Sequence, residues 1–417
     1  MPPFLEKLGR ALLKPGWYAT AFLAGLAVYA VFSANGFIAL GLAILSLFAA
    51  IKTSPPILNP LTEKKLRRFR AIRRGYYSFL AVAFLTVLSL FAEFYANNRA
   101  LVVAYEGRLY FPTFSPVYVG SEFGLEGVEG VIPVDYRELD RRWKQSGAPH
   151  WVLLPPIPYS PIESNPIRDD RGLEIIKSAP PNFEQQHYLG TDKAGRDILS
   201  RLIYGFRVAI LFALAFMLLT YGIGIAIGCL MGYFGGVFDI LVQRLIEIWS
   251  NIPFLYMVII IFSVIPTAFD IPVRIAILLG IMVLFSWTGM TYYMRTETYR
   301  EKARDYTAAA LVMGAGTPRI LFHHILPNTI STIVTFMPFT VVSAISAITA
   351  LDFLGLGLPP PTPSLGEMLQ QGRNKISDAP WIISSAFASL VILLTLVTFI
   401  GEAIREAFDP RKYTIYQ

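Results

Sequence analysis

The chain has 417 residues, 54% of them hydrophobic and only 16% charged, with a formal net charge of +7. Soluble domains carry about 25% charged residues, so this composition excludes a disordered or fibrous chain and argues against an ordinary soluble enzyme. The positive balance raises nucleic acid as a partner, but basic loops beside membrane spans account for it, and no nucleic acid is expected.

A bilayer crossing needs roughly 20 apolar residues. The first apolar region, Gly16 to Ile51, is too long for one span and carries a turn signal at Ser33-Ala34-Asn35-Gly36. It reads as a helical hairpin, residues 16–33 and 37–51, in an N-terminal segment 1–52. A cleaved signal peptide with Lys7, Arg10 and Lys14 as its basic start is the alternative; the apolar core is long for one. Residues 53–75 form a linker with Lys64, Lys65, Arg67, Arg68, Arg70, Arg73 and Arg74, which places it on the cytoplasmic side. Residues 76–95 read as the first core span.

Residues 96–200 are polar, aromatic and proline-rich, and read as a small loop-rich extracytoplasmic domain. Leu101–Phe111 reads as two short strands around Glu106-Gly107. Trp151–Asn165 is too rich in proline for a helix or a central strand. Residues 201–403 carry the other spans, Val208–Gly232, Ile248–Pro266, Ile275–Tyr293, Ile330–Leu351 and Trp381–Ile400, making six in the core. Alternation puts Met294–Asn328 and the tail 404–417 inside, and both are basic, as the positive-inside rule requires. The fold class is thus an all-α polytopic membrane protein of the inner (plasma) membrane with its C-terminus cytoplasmic. The single cysteine, Cys229, excludes a disulfide framework and a cysteine-based zinc site, and four histidines leave little for a metal centre. Neither a metal nor a cofactor is expected.

Gly190, Thr191, Asp192, Gly195, Arg196 and Asp197 belong to a run, GTDKAGRD, that looks like a phosphate loop. That loop needs Lys on the phosphates and then Ser or Thr on magnesium; here Arg196 and Asp197 stand there, and an aspartate repels phosphate. Nucleotide binding is rejected, so if ATP drives this protein another polypeptide hydrolyses it. Gly224, Gly228 and Gly232 recur every four residues and permit close helix approach, within the subunit or across a dimer, with internal packing favoured. Arg244 and Glu247 are neighbours at i and i+3 and read as a structural ion pair at the inner end of a span, or as residues lining a path.

Glu301–Asn328 carries the most information. Ala308, Ala309 and Ala310 favour helix, Gly314 and Gly316 can end it, and Pro318 can start a second helix. Leu326-Pro327-Asn328 marks a break before the next span. A loop of roughly 35 residues with its own helices usually has a function. His323 and His324, adjacent on a helix, point in different directions and read as surface or packing residues.

Tyr306–Gly314 followed by His324–Asn328 resembles the coupling motif of ABC importer permeases, which reads Glu-Ala-Ala, three residues, Gly, nine residues, Ile-x-Leu-Pro. Ala309, Ala310, Gly314, Leu326 and Pro327 match; Ala308 replaces the glutamate and His324 the isoleucine. Leu189–Arg207, Leu351–Pro359 and Gly401–Arg411 resemble three further signatures of the oligopeptide, dipeptide and nickel permeases. Arg73–Tyr77, Tyr95–Asn98 and Tyr105–Pro112 look like the branch that serves microcin C-type peptide importers. The resemblance covers about residues 65–417; the hairpin at 16–51 departs from it. It implies a type I ABC importer transmembrane domain, a non-catalytic subunit that works with a sister permease, two cytoplasmic ATPase domains and an extracytoplasmic solute-binding protein, in membrane lipid. Segment 301–328 would sit in a cleft of one ATPase.

A secondary transporter would show internal repeats and midplane ion-binding residues; no repeat is visible, and intramembrane acids apart from Glu247 are few. A membrane-anchored binding or sensing protein would need a larger outer domain and no helical pair inside. An intramembrane enzyme would need a nucleophile–base pair, metal ligands or paired carboxylates within the spans, and none is found.

Overall fold

The computed structural model describes residues 36–53, 60–168, 174–264 and 269–409. The 16–33 arm of the expected hairpin and the end of the tail lie outside the described residues; the second arm is helix α1, Gly36–Thr53. The chain divides into two compact units, one comprising Met1–Glu63, Ala83–Arg207 and Gln371–Ala386, the other Lys64–Val82, Val208–Gln370 and Phe387–Gln417.

The basic linker forms α2, Pro60–Ala71, and turns by 93° into α3, Arg73–Leu90. In the first unit β1, Val102–Tyr105, lies between β2, Arg108–Tyr110, and β3, Trp151–Leu153, both antiparallel to it. Glu106 and Gly107 both take positive φ at the hairpin turn, the left-handed backbone that such tight turns demand. β3 is an edge strand, which suits the prolines that follow it from Pro155. Helix α4, Tyr136–Ser146, packs on this sheet. Asp135 caps it by accepting from the backbone N–H groups of Arg137 and Glu138. Tyr136, Leu139 and Trp143, at helical spacing, bury one face against Val103 and Phe123. Tyr105 stacks on Trp143 with ring centroids 5.6 Å apart. Beside that face Arg142 grips both carboxylate oxygens of Glu129 at 2.6 and 2.8 Å, which holds that carboxyl below its usual range.

The long helices are α5, Ile198–Phe234; α6, Gly236–Ser250, bent by 74° into α7, Phe254–Val264; α8, Ile271–Lys302; α9, Asp305–Val312; α10, Leu326–Phe353; α11, Leu365–Asn374; and α12, Pro380–Phe408. Among the described residues four helices are long and apolar enough to cross a membrane, or six if each bent pair counts as one span.

Three sequence expectations need correction. Ile248–Pro266 is not one straight span, because Pro253 lacks an N–H and disfavours helix at Ile252; the helix breaks between Ser250 and Phe254. The loop 294–328 is shorter than expected, since α8 stays helical to Lys302. Leu326-Pro327-Asn328 is no break: helix is continuous from Thr317 through Phe353, with one π-helical stretch at Ile320–Ile325. Pro327 sits in the first turn of α10, and the wider π turn before it absorbs the geometry a proline imposes.

In the second unit the glycine row of α5 seats α8. A Cβ on Gly224 would lie 2.8 Å from Met290 Cβ, on Gly228 2.5 Å from the Thr291 carbonyl oxygen, and on Gly232 2.7 Å from the Arg295 carbonyl oxygen. The small residues serve packing inside the subunit. Asp239 on α6 ties the same helix, receiving Arg295 Nε at 2.5 Å, Arg295 Nη2 at 2.6 Å and the Tyr299 hydroxyl at 2.8 Å.

Candidate functional site

Segment 301–328 is built from its glutamate outward. Glu301, the penultimate residue of α8, is buried. Its Oε2 accepts from the Tyr306 hydroxyl at 2.8 Å, its Oε1 from Arg300 Nε at 3.2 Å, and its backbone carbonyl from the Thr307 hydroxyl at 2.8 Å. Burial, then the hydrogen bond to Glu301, pushes the Tyr306 phenol above its ordinary pKa, so it stays protonated and able to donate. These bonds fix the angle at which α9 leaves α8.

Gly314 ends α9 in the left-handed conformation, φ +81°. Its N–H donates to the Leu311 carbonyl and the N–H of Ala315 to the Ala310 carbonyl, both at 3.0 Å. This paired pattern closes a helix end and favours glycine at the turning position. Pro318 then stands in the first turn of the next helical stretch.

Of the alanines, Ala310 is buried with Thr307 beneath α9, while Ala308 and Ala309 face outward. Leu311, Val312 and Met313 follow, with Val312 88% and Met313 80% exposed, and Phe322 is exposed on the π-helical stretch. These side chains leave apolar surface exposed on the segment. His324 is half-buried, its ring 6.4 Å from that of Tyr306, and its carbonyl accepts from Asn328 Nδ2. His323 is exposed. Leu326 is half-buried and Pro327 exposed. In the same unit Tyr293, Glu297 and Arg300 of α8, Ser331 and Thr335 of α10, and Arg405 of α12 line a polar cavity.

The 190–197 run lies in the first unit and closes on itself. Asp192 is fully buried, and its carboxylate accepts from the N–H groups of Ala194 and Arg196 at 2.8 and 3.0 Å and from Arg196 Nε at 2.8 Å. Arg201, also fully buried, reaches the same carboxylate at 3.5 Å and donates to the Pro161 carbonyl at 2.9 Å. Asp197 caps α5 through the N–H of Ser200 at 2.7 Å and lies 2.8 Å from His187 Nδ1. Thr191 accepts the Ala179 N–H on its hydroxyl and the Trp381 indole N–H on its carbonyl. Gly190 and Gly195 have positive φ, and a side chain on Gly195 would strike the Asn165 carbonyl. The Asp192 carboxylate takes up N–H groups of its own loop, and Lys193 is exposed. The run is a knot that joins residues 161–165, 179, 187 and 381 to the start of α5.

Arg244 and Glu247 form their pair at 2.6 Å on α6, largely exposed, with Gln243 also donating to Glu247. Sequence reading missed Glu301–Tyr306 and Asp239–Arg295, because partners on different helices leave no spacing signal. It also missed Asp352 at the end of α10, which accepts the Leu358 N–H at 2.6 Å and the Ser364 hydroxyl and so ties down the loop before α11.

Residues 224–413 match the family described as binding-protein-dependent transport system inner membrane component. The chain is 38% identical over 381 residues to the peptidoglycan transport system permease protein YejE of Agrobacterium fabrum, covering 87% of this chain and 96% of the relative. It is 40% identical to the inner membrane ABC transporter permease protein YejE of Escherichia coli, covering 85% and 98%, and 36% identical to the dipeptide transport system permease protein DppC of Haemophilus influenzae, covering 62% and 85%. With the multiple apolar spans and the four signatures in order, these likenesses fix the family: the chain belongs to the inner-membrane permease subunits of ABC importers.

Proposed function

We propose that the chain forms, with a sister permease, the translocation path for peptides or peptide-like compounds that an extracytoplasmic binding protein delivers, and that a separate cytoplasmic ATPase docks on segment 301–328. The observation that carries the docking reading is the exposed row Leu311, Val312, Met313 and Phe322 on a segment whose angle is fixed by Glu301, Tyr306 and Thr307. The family's Glu-Ala-Ala has Ala308 in place of the glutamate, so docking here is chiefly apolar. A push on α9 passes into α8 through the Glu301 bonds, and a push on the stretch from Thr317 passes into α10 through continuous helix. Closure of the ATPase then changes which side the path faces, which requires ATP to favour one conformation over the other. The polar cavity between α8, α10 and α12 is the inner part of that path on this reading.

A peptide-like cargo is supported by what the relatives are named for, peptidoglycan and dipeptide transport. Residues 96–200 lie outside on this reading, with 301–328 and the C-terminus inside. The test is uptake of labelled peptides of two to six residues, and of peptidoglycan fragments, into vesicles holding the co-purified complex with its binding protein and internal ATP. ATP-dependent accumulation is expected; uptake driven by an ion gradient without ATP would contradict the reading.

A further inference from the structure

We propose that the open face of the sheet formed by β1, β2 and β3 is a membrane contact, seated where lipid headgroups meet hydrocarbon. Cross-strand register sorts the side chains of this sheet into two faces. Val103 stands opposite Tyr110 and Val152, on the face that packs with Tyr136, Leu139 and Trp143 of α4. On the other face Ala104 stands between Leu109 and Trp151, and Val102 stands beside Leu153. Alternation along β2 brings Phe111 to the same face. Leu109 is 59% exposed, Trp151 51%, Leu153 49% and Phe111 47%.

An antiparallel sheet with one face in water alternates apolar and polar side chains. This sheet does not. None of the residues on the open face carries a charge, and the Trp151 indole N–H is their one polar side-chain group. The neighbouring charges fall elsewhere. Arg108 stands opposite Tyr105, which stacks on Trp143 on the α4 face. Glu106 sits at the tip of the hairpin turn, and Arg99 donates to the carbonyls of Pro112 and Ser115. Single exposed apolar side chains are common on protein surfaces; a contiguous set of them is not.

Continuity with the span names the occupant. Near its end at Leu90, α3 exposes Phe84, Leu85 and Leu88. Rings carry this surface onward: Phe91 lies 6.1 Å from Phe94, and Phe94 lies 5.0 Å from Phe114. The Phe114 N–H donates to the Phe111 carbonyl, at the edge of the open face. Phe94, Phe114 and Val117 are exposed as well. The sheet is also tied to the span end. The Ile157 N–H donates to the Tyr95 carbonyl, the Asn97 N–H to the Ile157 carbonyl, and the Leu101 N–H to the Leu153 carbonyl. These bonds hold β3 and the chain after it against the residues that follow α3.

The depth fits. Residues 102 and 104 define two rows about 7 Å apart along β1, within the roughly 5–10 Å over which an interfacial element enters the bilayer. Tryptophan, apolar over most of its ring and with one N–H to keep wet, is the residue of the headgroup level. A protein partner is the rival occupant. A surface that meets and leaves a protein carries a polar rim and hydrogen bonds, and this face offers one indole N–H. The proposal rests on α3 as a span and not on which side of the membrane the sheet occupies, so its failure leaves the transport reading untouched.

The test is fluorescence quenching on the full-length chain, purified with whatever accompanies it and placed in phospholipid nanodiscs. In a Cys229→Ser background, Leu109→Cys, Leu153→Cys and Arg141→Cys, the last at an exposed position of α4, are each labelled with bimane. One quencher is phosphatidylcholine with a doxyl group near the headgroup end of its acyl chain; the other is iodide in the water. The labels on Leu109→Cys and Leu153→Cys should lose most of their emission to the doxyl lipid and little to iodide, and the label on Arg141→Cys should do the reverse. A label-free measurement guards against disturbance by the dye: brominated phosphatidylcholine should quench a larger share of tryptophan emission in the wild type than in Trp151→Tyr. Iodide quenching at Leu109→Cys and Leu153→Cys without lipid quenching would overturn the proposal in favour of an open, wetted face. Shielding from both quenchers would overturn it in favour of a protein partner. An equal quenched share in the wild type and Trp151→Tyr would overturn it as well.

Discussion

The Tyr306 hydroxyl donates to Glu301 Oε2 at 2.8 Å, joining the first turn of α9 to the last turn of α8. With the Thr307 hydroxyl on the Glu301 carbonyl, this makes the junction a stiff elbow. A hydrogen bond to a charged group contributes about 1.5–3 kcal/mol. Tyr306→Phe should therefore leave the chain folded while loosening the elbow. The expected outcome is near-normal ATP hydrolysis with fewer substrate molecules carried per ATP, measured as the ratio of uptake to hydrolysis in vesicles. An unchanged ratio would remove the elbow from the coupling account.

Gly314 holds φ +81°, where a Cβ costs roughly 1–2 kcal/mol. No atom lies within 4 Å of a Cβ placed there, so the cost is conformational and not steric. Gly314→Val should weaken retention of the ATPase more than Gly314→Ala, and Gly314→Asn should be tolerated, because asparagine enters the left-handed region readily. Co-purification of the ATPase checks the order; equal loss in all three would mean that the glycine is needed for contact with the partner.

The glycine row gives a contrast within one helix. A Cβ on Gly228 meets the Thr291 carbonyl oxygen at 2.5 Å, while at Gly222 nothing lies within 4 Å. Overpacking costs about 1–3 kcal/mol, so Gly228→Ala should lower the thermal midpoint of the purified chain by several degrees, and Gly222→Ala should leave it nearly unchanged.

In the 190–197 knot, Asp192→Asn leaves Arg196 and Arg201 buried against a neutral amide. Removing one partner of a buried ion pair costs about 3–5 kcal/mol, and the variant should accumulate poorly in membranes. Lys193→Ala, at an exposed position, should be neutral in both abundance and uptake. A phosphate-binding loop would give the reverse pattern, so quantifying the two variants by immunoblot and uptake discriminates the readings.

The long apolar helices apart from the broken one at 248–266, the Glu106-Gly107 hairpin, the turn at Gly314 and the start at Pro318 were legible in the sequence, because apolar run length, glycine and proline act locally. What was not legible depends on partners distant along the chain. Nothing near Asp239 points to Arg295, 56 residues on, and nothing near Thr191 points to Trp381, 190 residues on. Pro327 misled because the π-helical stretch at Ile320–Ile325 accommodates it, so helix runs on where a break was expected. The exposed row at Leu311–Met313 has no helical periodicity to announce it; only the burial of Thr307 and Ala310 on the opposite side of α9 shows which way it faces.

The central claim is that segment 301–328 carries an ATPase. The direct measurement is affinity purification of the tagged full-length chain from its native membrane in mild detergent, comparing wild type with V312D/M313D and assaying each eluate for ATP hydrolysis. The account predicts that a second permease and an ATPase accompany the wild type, and that the variant keeps the permease but loses the ATPase and its activity. A chain that purifies alone, or a variant that retains the ATPase undiminished, would contradict it.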